Sequence, residues 1–349
     1  MKDNRDALEY TLWRQEVKTL IINLVLGFWL WFQSIVLTLT PNFIAKRQPK
    51  SVANDVALIT GAGSGLGREI ALQLARLGAT IVAWDINDDG LCETARLVDQ
   101  ICQQRNNNNA DQSTGCAQKF LKYRVDVSQR DQVYERAQQV QRDLGHQQHV
   151  SILINNAGIY HGLYLHDLSD QQIERIFNIN VVSHFWTIRA FLPEMLARRS
   201  GHIVEIASMA GLAGLQKQVD YCATKFAVIG LEETLSLELA SLGYSEFIKT
   251  TAICPFFFSS NLFTNFQSTL NRLMTCEYVA QETVRAIQFN KNFVILPPRG
   301  QLLYLLKVLT PRCTQMAFTN AFGGSQCVTA IKGAAASVNV INRTEKCRD

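Results

Sequence analysis

The chain has 349 residues and is 47% apolar, enough for one α/β domain of roughly 250 residues with flanking segments and unlike a disordered or fibrous chain. Its net charge of +4, with 34 basic residues dispersed among 30 acids, lacks the basic stripe that a phosphate backbone requires, so no nucleic-acid partner is expected. Nine cysteines, an odd number without a CxxC pair, argue against a secreted disulfide framework, and the six histidines form no HExxH motif, so no metal is expected.

Residues 1–19 form an N-terminal flank. From Leu20 to Leu39 the chain carries no charge, and a helix of that length spans the roughly 30 Å of a bilayer core. The segment 20–44 is therefore predicted to be a membrane anchor, with Pro41 marking its end. No small-residue cleavage site follows it, against a signal peptide. Lys2, Arg5, Arg14 and Lys18 precede it, and Lys46, Arg47 and Lys50 follow it. Positive charge on both sides does not choose an orientation. It also fits a hairpin that dips into one leaflet, with Gly27 or Gln33-Ser34 as turn points. The endoplasmic reticulum or a lipid droplet is the expected location, with the catalytic domain facing the cytosol. The Asn342 sequon would matter only in a lumen.

After a linker at 45–54, β-branched runs alternate with amphipathic helices over 55–298. That pattern reads as an α/β domain, a single Rossmann-like, doubly wound parallel sheet of seven strands. The strands are predicted at Val56 to Thr60, Thr80 to Asp85, Lys119 to Val125, Val150 to Asn155, His202 to Ala207, Ile248 to Ile253 and Phe293 to Leu296. The first helix, Arg68 to Leu77, closes at Gly78. Ser128 with Asp131, and Ser169 with Gln172, read as helix-capping pairs. Gln103 to Gln118, with four asparagines in a row, reads as a polar loop. The extension 299–349 holds two amphipathic stretches, Gln301 to Leu309 and Gln315 to Ala330, which either pack on the core or touch a membrane surface.

The first strand runs through Thr60-Gly61-Ala62-Gly63-Ser64-Gly65-Leu66-Gly67 into a helix. Glycines there let the backbone approach a pyrophosphate, whose charge sits against free N–H groups at the helix N-terminus. Asp85 ends the second strand 18 residues after Gly67, where an acid accepts hydrogen bonds from an adenosine ribose and repels a 2'-phosphate. That favours NAD over NADP, and Gly63 agrees, because no Arg or Lys occupies that turn position. Tyr221 and Lys225 stand four apart on one helical face. An ammonium beside a phenol stabilises phenolate, which suits Tyr221 as an acid/base for an alcohol proton. Ser208, just after a buried strand, is placed to hydrogen-bond the reacting oxygen.

Taken in order, TGAGSGLG, the ILINNAG run at Ile152 to Gly158, Asn180 in FNIN, Ser208 and YCATK resemble the motifs of the short-chain dehydrogenases/reductases, over about Asp55 to Leu296. The resemblance implies that Tyr221 is the catalytic acid/base, that Lys225 binds the nicotinamide ribose and lowers the tyrosine pKa, and that Ser208 orients the substrate oxygen. It further implies that Asn180 holds a water in a proton relay, that Asp126 and Val127 face the adenine, and that Asn155, Asn156, Ala157 and Gly158 line the cofactor. Within the family, the anchor, the WDIN run at Trp84 to Asn87, the HFWTIRAFLP run at His184 to Pro193 and the extension resemble the membrane-bound retinol dehydrogenases and the lipid-droplet 17-beta-hydroxysteroid dehydrogenases. After the sixth strand, Cys254-Pro255-Phe256-Phe257-Phe258-Ser259-Ser260 departs from the wider family, which has Pro-Gly and, later, Thr. Phe258 and Ser260 are expected at the cofactor, Ser260 through its hydroxyl. Phe256, Phe257, Phe258, Phe263 and Phe266 favour a lipophilic alcohol, ketone or aldehyde, and the anchor would set the cleft beside dissolved lipid. A homodimer is left open. An NADP-dependent carbonyl reductase and a non-catalytic binding protein on a membrane or droplet are the competing readings.

Overall fold

Seven short runs form parallel strands in the order β3-β2-β1-β4-β5-β6-β7. They are β1 (Val56–Thr60), β2 (Thr80–Asp85), β3 (Phe120–Arg124), β4 (Ile152–Asn155), β5 (Gly201–Ile206), β6 (Ile248–Pro255) and β7 (Phe293–Leu296). The helices between them are α1 (Gly65–Arg76), α2 (Asp88–Asn108), α3 (Arg130–Leu144), α4 (Asp170–Phe177), α5 (Ser183–Arg198), α6 (Val219–Ser241), α7 (Cys276–Gln288) and α8 (Gly300–Leu309). This computed structural model describes residues 14, 15, 17–19, 21, 22, 25, 26, 28, 29, 48–108, 120–259 and 273–311. The chain divides into two compact units, Met1–Pro49 and Lys50–Asp349.

Strand side chains alternate between two cores, as the two-residue period requires. Ala57, Ile59, Ile81, Ala83, Ile152 and Ile154 face one side and pack with Leu66 and Ile70 of α1, Leu91 of α2 and Val284 of α7. Val56, Leu58, Val82, Trp84, Leu153 and Ile203 face the other, against Val133 of α3, Phe191 of α5 and Leu239 of α6. Each fully buried aliphatic side chain contributes on the order of 2 kcal/mol. Where both faces are covered, as in β1, β2 and β4, the strands read as near-continuous apolar runs, and that made them visible in the sequence.

The sheet grows outward from β1 in one direction through β2 and β3, then restarts at β4 on the other side of β1. At that reversal the connections from β1 and β4 diverge, leaving a crevice at the strand C-termini, the usual ligand position in an open α/β sheet.

Three local expectations are corrected. Ser128 does not cap α3. The Asp126 carboxylate takes both its N–H (2.9 Å) and its hydroxyl (2.7 Å), and the helix starts after Gln129 with no side-chain cap. The predicted loop from Gln103 is helical as far as Asn108, as the end of α2; the rest of it lies outside the described residues. Strands β3, β4 and β5 also end or begin a residue or two from their predicted limits, while β6 runs on to Pro255. The Ser169–Gln172 capping box is formed in full.

Most of the predicted anchor lies outside the described residues. Those described between 14 and 29 are helical, and Ile21, Ile22, Val25, Leu26, Phe28 and Trp29 are each more than half exposed. Among the described residues no helix is long and apolar enough to cross a membrane. Of the two C-terminal stretches, the first forms α8 and the second, Gln315 to Ala330, lies outside the described residues.

Candidate active site

The crevice is a cleft of about 550 Å³ that runs from Asp85 at one end to Tyr221 at the other. Its floor is the glycine-rich turn. Gly61, Ser64, Gly65 and Leu66 line it, at the N-terminus of α1, where the first-turn N–H groups have no partner within the helix. Gly67 sits behind them: a Cβ there would lie 2.2 Å from the Gly61 carbonyl oxygen, so only glycine lets α1 start this close to β1. The Thr60 hydroxyl accepts from the N–H groups of Asn156 (2.9 Å) and Ala157 (3.0 Å), and the Asn156 amide donates to the Thr60 carbonyl (2.9 Å). These bonds lock the ends of β1 and β4 together and place Asn156, Ala157 and Gly158 along one wall.

Asp85 lies where β2 ends. One carboxylate oxygen accepts the Gly63 N–H at 2.8 Å and the other the Asn87 N–H at 2.9 Å, leaving acceptor capacity toward the cleft. Asp126 and Val127, after β3, line the same end.

At the opposite end Ser208, Tyr221 and Lys225 converge. Ser208 follows β5, and its hydroxyl accepts from the Ala210 N–H at 3.1 Å, opening a short turn over Met209–Gly211. A Cβ at Gly211 would lie 2.5 Å from the Lys225 carbonyl oxygen, so this glycine lets the turn press against α6 and sets the approach of Ser208 to Tyr221. Lys225 Nζ donates to the Ile206 carbonyl at 2.8 Å and lies 5.6 Å from the centre of the Tyr221 ring. Burial pushes the Tyr221 phenol above its ordinary range, and a hydrogen bond with Ser208 works against that rise. Burial lowers Lys225 to about 8, against the opposing charges of Glu205 and Cys254. A phenol held up and an ammonium held down thus stand side by side as a proton-handling pair.

Not every expected residue reaches the cleft. Asn155 points into the sheet, where its amide donates to Glu205 (2.8 Å) and accepts from Thr187 (2.7 Å). Asn180 sits on a π-helical turn between α4 and α5. Its amide accepts the Ile159 N–H (2.8 Å) and donates to the Ile159 carbonyl (3.0 Å) and to Thr224 (3.3 Å). The side chain thus braces the loop after β4 against α6. Phe258 lines the cleft, together with Phe256 and Phe257; Ser260, Phe263 and Phe266 lie outside the described residues.

The sequence reading missed several wall residues. Tyr160 stacks edge-on against Tyr221, ring centres 5.3 Å apart, and Met209, Leu215 and Gln218 close the same end. Their signal was positional: Tyr160 stands two residues past the ILINNAG run, and Leu215 and Gln218 lie just before the helix that carries Tyr221. Tyr160, Tyr221, Cys222 and Phe257 share an apolar cluster with Phe256 and Leu215, so the wall beside the proton-handling pair is greasy.

The residues fit a nicotinamide dinucleotide. The cradle exists only because Gly67 lacks a Cβ, an acid stands at the far end, and the cleft spans the distance between that acid and the Tyr221–Lys225 pair.

Residues 55–271 match the family model for short chain dehydrogenase. The chain is 36% identical over 312 residues to human epidermal retinol dehydrogenase 2, covering 88% of this chain and 94% of that protein. It is 37% identical over 269 residues to mouse estradiol 17-beta-dehydrogenase 11, covering 77% and 84%. Among solved structures, a short chain dehydrogenase/reductase from Burkholderia phymatum in complex with NAD superposes with a TM-score of 0.62 at 27% identity, covering 74% of this chain and 94% of that one.

Proposed function

The chain belongs to the short chain dehydrogenase family, and from that premise we propose that it oxidises a lipophilic alcohol, of the retinol, hydroxysteroid or fatty-alcohol class, with NAD. The observation that carries the reading is the convergence of Ser208, Tyr221 and Lys225 at one end of a cleft whose other end holds Asp85.

When bound, the cofactor supplies a hydride acceptor. In this reading Tyr221, as phenolate, takes the proton from the alcohol oxygen while the carbinol carbon gives up its hydride, leaving a carbonyl. Ser208 hydrogen-bonds the reacting oxygen and keeps it facing Tyr221. Lys225 binds the nicotinamide ribose, and its charge makes the phenolate accessible. Asn180 and Asn156 hold the loop after β4 in place. Asp85 accepts the adenosine ribose hydroxyls, and its carboxylate opposes a 2'-phosphate, which supports NAD. Asp126 and Val127 flank the adenine. Oxidation is the direction expected where cytosolic NAD is mostly oxidised.

The apolar wall of Tyr160, Phe256 and Phe257 suits a lipid alcohol, and the named relatives act on retinol and estradiol. Residues 20–44 serve as the membrane anchor and 55–298 as the catalytic domain, on the endoplasmic reticulum or a lipid droplet and facing the cytosol. Helix α8 supports contact with lipid, since Leu302, Leu305, Val308 and Leu309 are each more than half exposed. The test offers membrane fractions from expressing cells a retinol, a hydroxysteroid and a long-chain alcohol, each with NAD or NADP. NADH formation with one of them is the expected result. No turnover of any of the three would overturn the substrate reading, and equal or faster turnover with NADP would overturn the choice of cofactor.

A further inference from the structure

The centre of the sheet contains a carboxylate that no step above uses. Glu205, in β5, is fully buried, and so are its neighbours His184, Asn155 and Thr187. An acid in the middle of an apolar strand is costly unless it is both paired and hydrogen-bonded. Here each oxygen takes a hydrogen bond: one from the Asn155 amide at 2.8 Å, the other from His184 Nδ1. Asn155 is in turn held by the Thr187 hydroxyl at 2.7 Å. A donor therefore stands on each oxygen.

Lys225 of α6 stands close by. Its Nζ donates to the carbonyl of Ile206, the residue next to Glu205, and the Glu205 charge acts on it. Lys225 is itself buried, with a neutral carbonyl as its direct hydrogen-bond partner. A buried ammonium with only neutral partners tends to lose its proton. The other titratable groups facing this pair are Cys254 on β6, which bears on Lys225, and Glu232 on α6, which bears on Glu205. On α5 the group is His184, and on α6 itself Tyr221.

We propose that Glu205, pinned by His184 and Asn155, is the buried counter-charge of Lys225 and a positioning residue that keeps this lysine protonated during turnover. The inference rests on the acid/base reading of Tyr221 and Lys225. In that reading the high-pH limb of kcat/KM for alcohol oxidation reports the loss of the Lys225 proton. Removing an anion makes that proton easier to lose.

The test compares pH profiles of the full-length enzyme in membranes. Glu205→Gln keeps an acceptor for Asn155 and removes the charge; its high-pH limb should move down by about one pH unit, with the low-pH limb in place. The double variant Glu205→Gln/His184→Gln lets the two amides pair and guards against an orphaned histidine; it should show the same displacement. A purely structural role would lower kcat at every pH and leave the limb where it is. A limb unmoved in either folded variant, in an enzyme that Tyr221→Phe inactivates, overturns the inference. Activity that survives Tyr221→Phe overturns the acid/base reading instead.

Discussion

Replacing Lys225 by methionine keeps the length of the side chain and removes its charge. The ammonium lies 5.6 Å from the centre of the Tyr221 ring, and at an effective dielectric constant of 20 a unit charge a few ångströms from a phenolate stabilises it by on the order of 3 kcal/mol. That is roughly two pKa units. The tyrosine, already pushed up by burial, would reach the phenolate roughly a hundredfold less often, and the rate of alcohol oxidation at pH 8 should fall by the same factor. Initial rates of NADH formation with saturating alcohol between pH 6 and 10 would show the low-pH limb displaced upward by about two units. Part of the loss should also appear as a raised KM for NAD, because Lys225 is assigned the ribose. A Lys225→Met enzyme that keeps within threefold of the parental rate at pH 8, with an unmoved limb, would refute the electrostatic reasoning.

Asp85→Ser removes the carboxylate that faces the adenosine end of the cleft. The kcat/KM for NAD should drop roughly tenfold, the worth of one charge-assisted hydrogen bond, while that for NADP stays level or rises; an unchanged ratio of the two contradicts the assignment. Glu232 is pushed up to about 6 by burial, partly offset by its hydrogen bond from Thr250. An acid whose folded pKa lies above its unfolded value of 4.5 destabilises the fold once it ionises, so the cost is absent below pH 4.5 and complete above pH 6. Glu232→Gln should therefore raise Tm at pH 7.5 and leave it unchanged at pH 4.5, as followed by thermal denaturation. A lower Tm at pH 7.5 would show that the carboxylate is needed for the Thr250 contact rather than tolerated.

Much of the sheet was legible because burial on both faces leaves strands such as β1, β2 and β7 largely apolar. β1, β2 and β7 were placed to the residue for that reason. The sequence was less clear where local polar groups compete. Ser128 and Asp131 have cap spacing, but Asp126 two residues earlier captures the serine, a choice that depends on where β3 releases the chain. The nucleotide turn and the Tyr221–Lys225 spacing were readable because phosphate approach and proton transfer each demand particular residues at fixed intervals. Asn155 was read as part of the cofactor wall with its three followers, yet strand alternation turns it inward, toward Glu205. The glutamate itself was visible, as an acid between Val204 and Ile206, but its partners come from α5 and β4 and are brought together only by the fold.

The most direct test of the central assignment is NADH formation by the parent and by Tyr221→Phe, expressed in the same membranes and offered whichever alcohol the parent turns over. Phenylalanine keeps the ring contact with Tyr160 and removes only the oxygen that would take the proton. The variant should bind NAD with unchanged affinity and show no turnover above background. NADH formation at a rate comparable to the parent would contradict the role given to Tyr221.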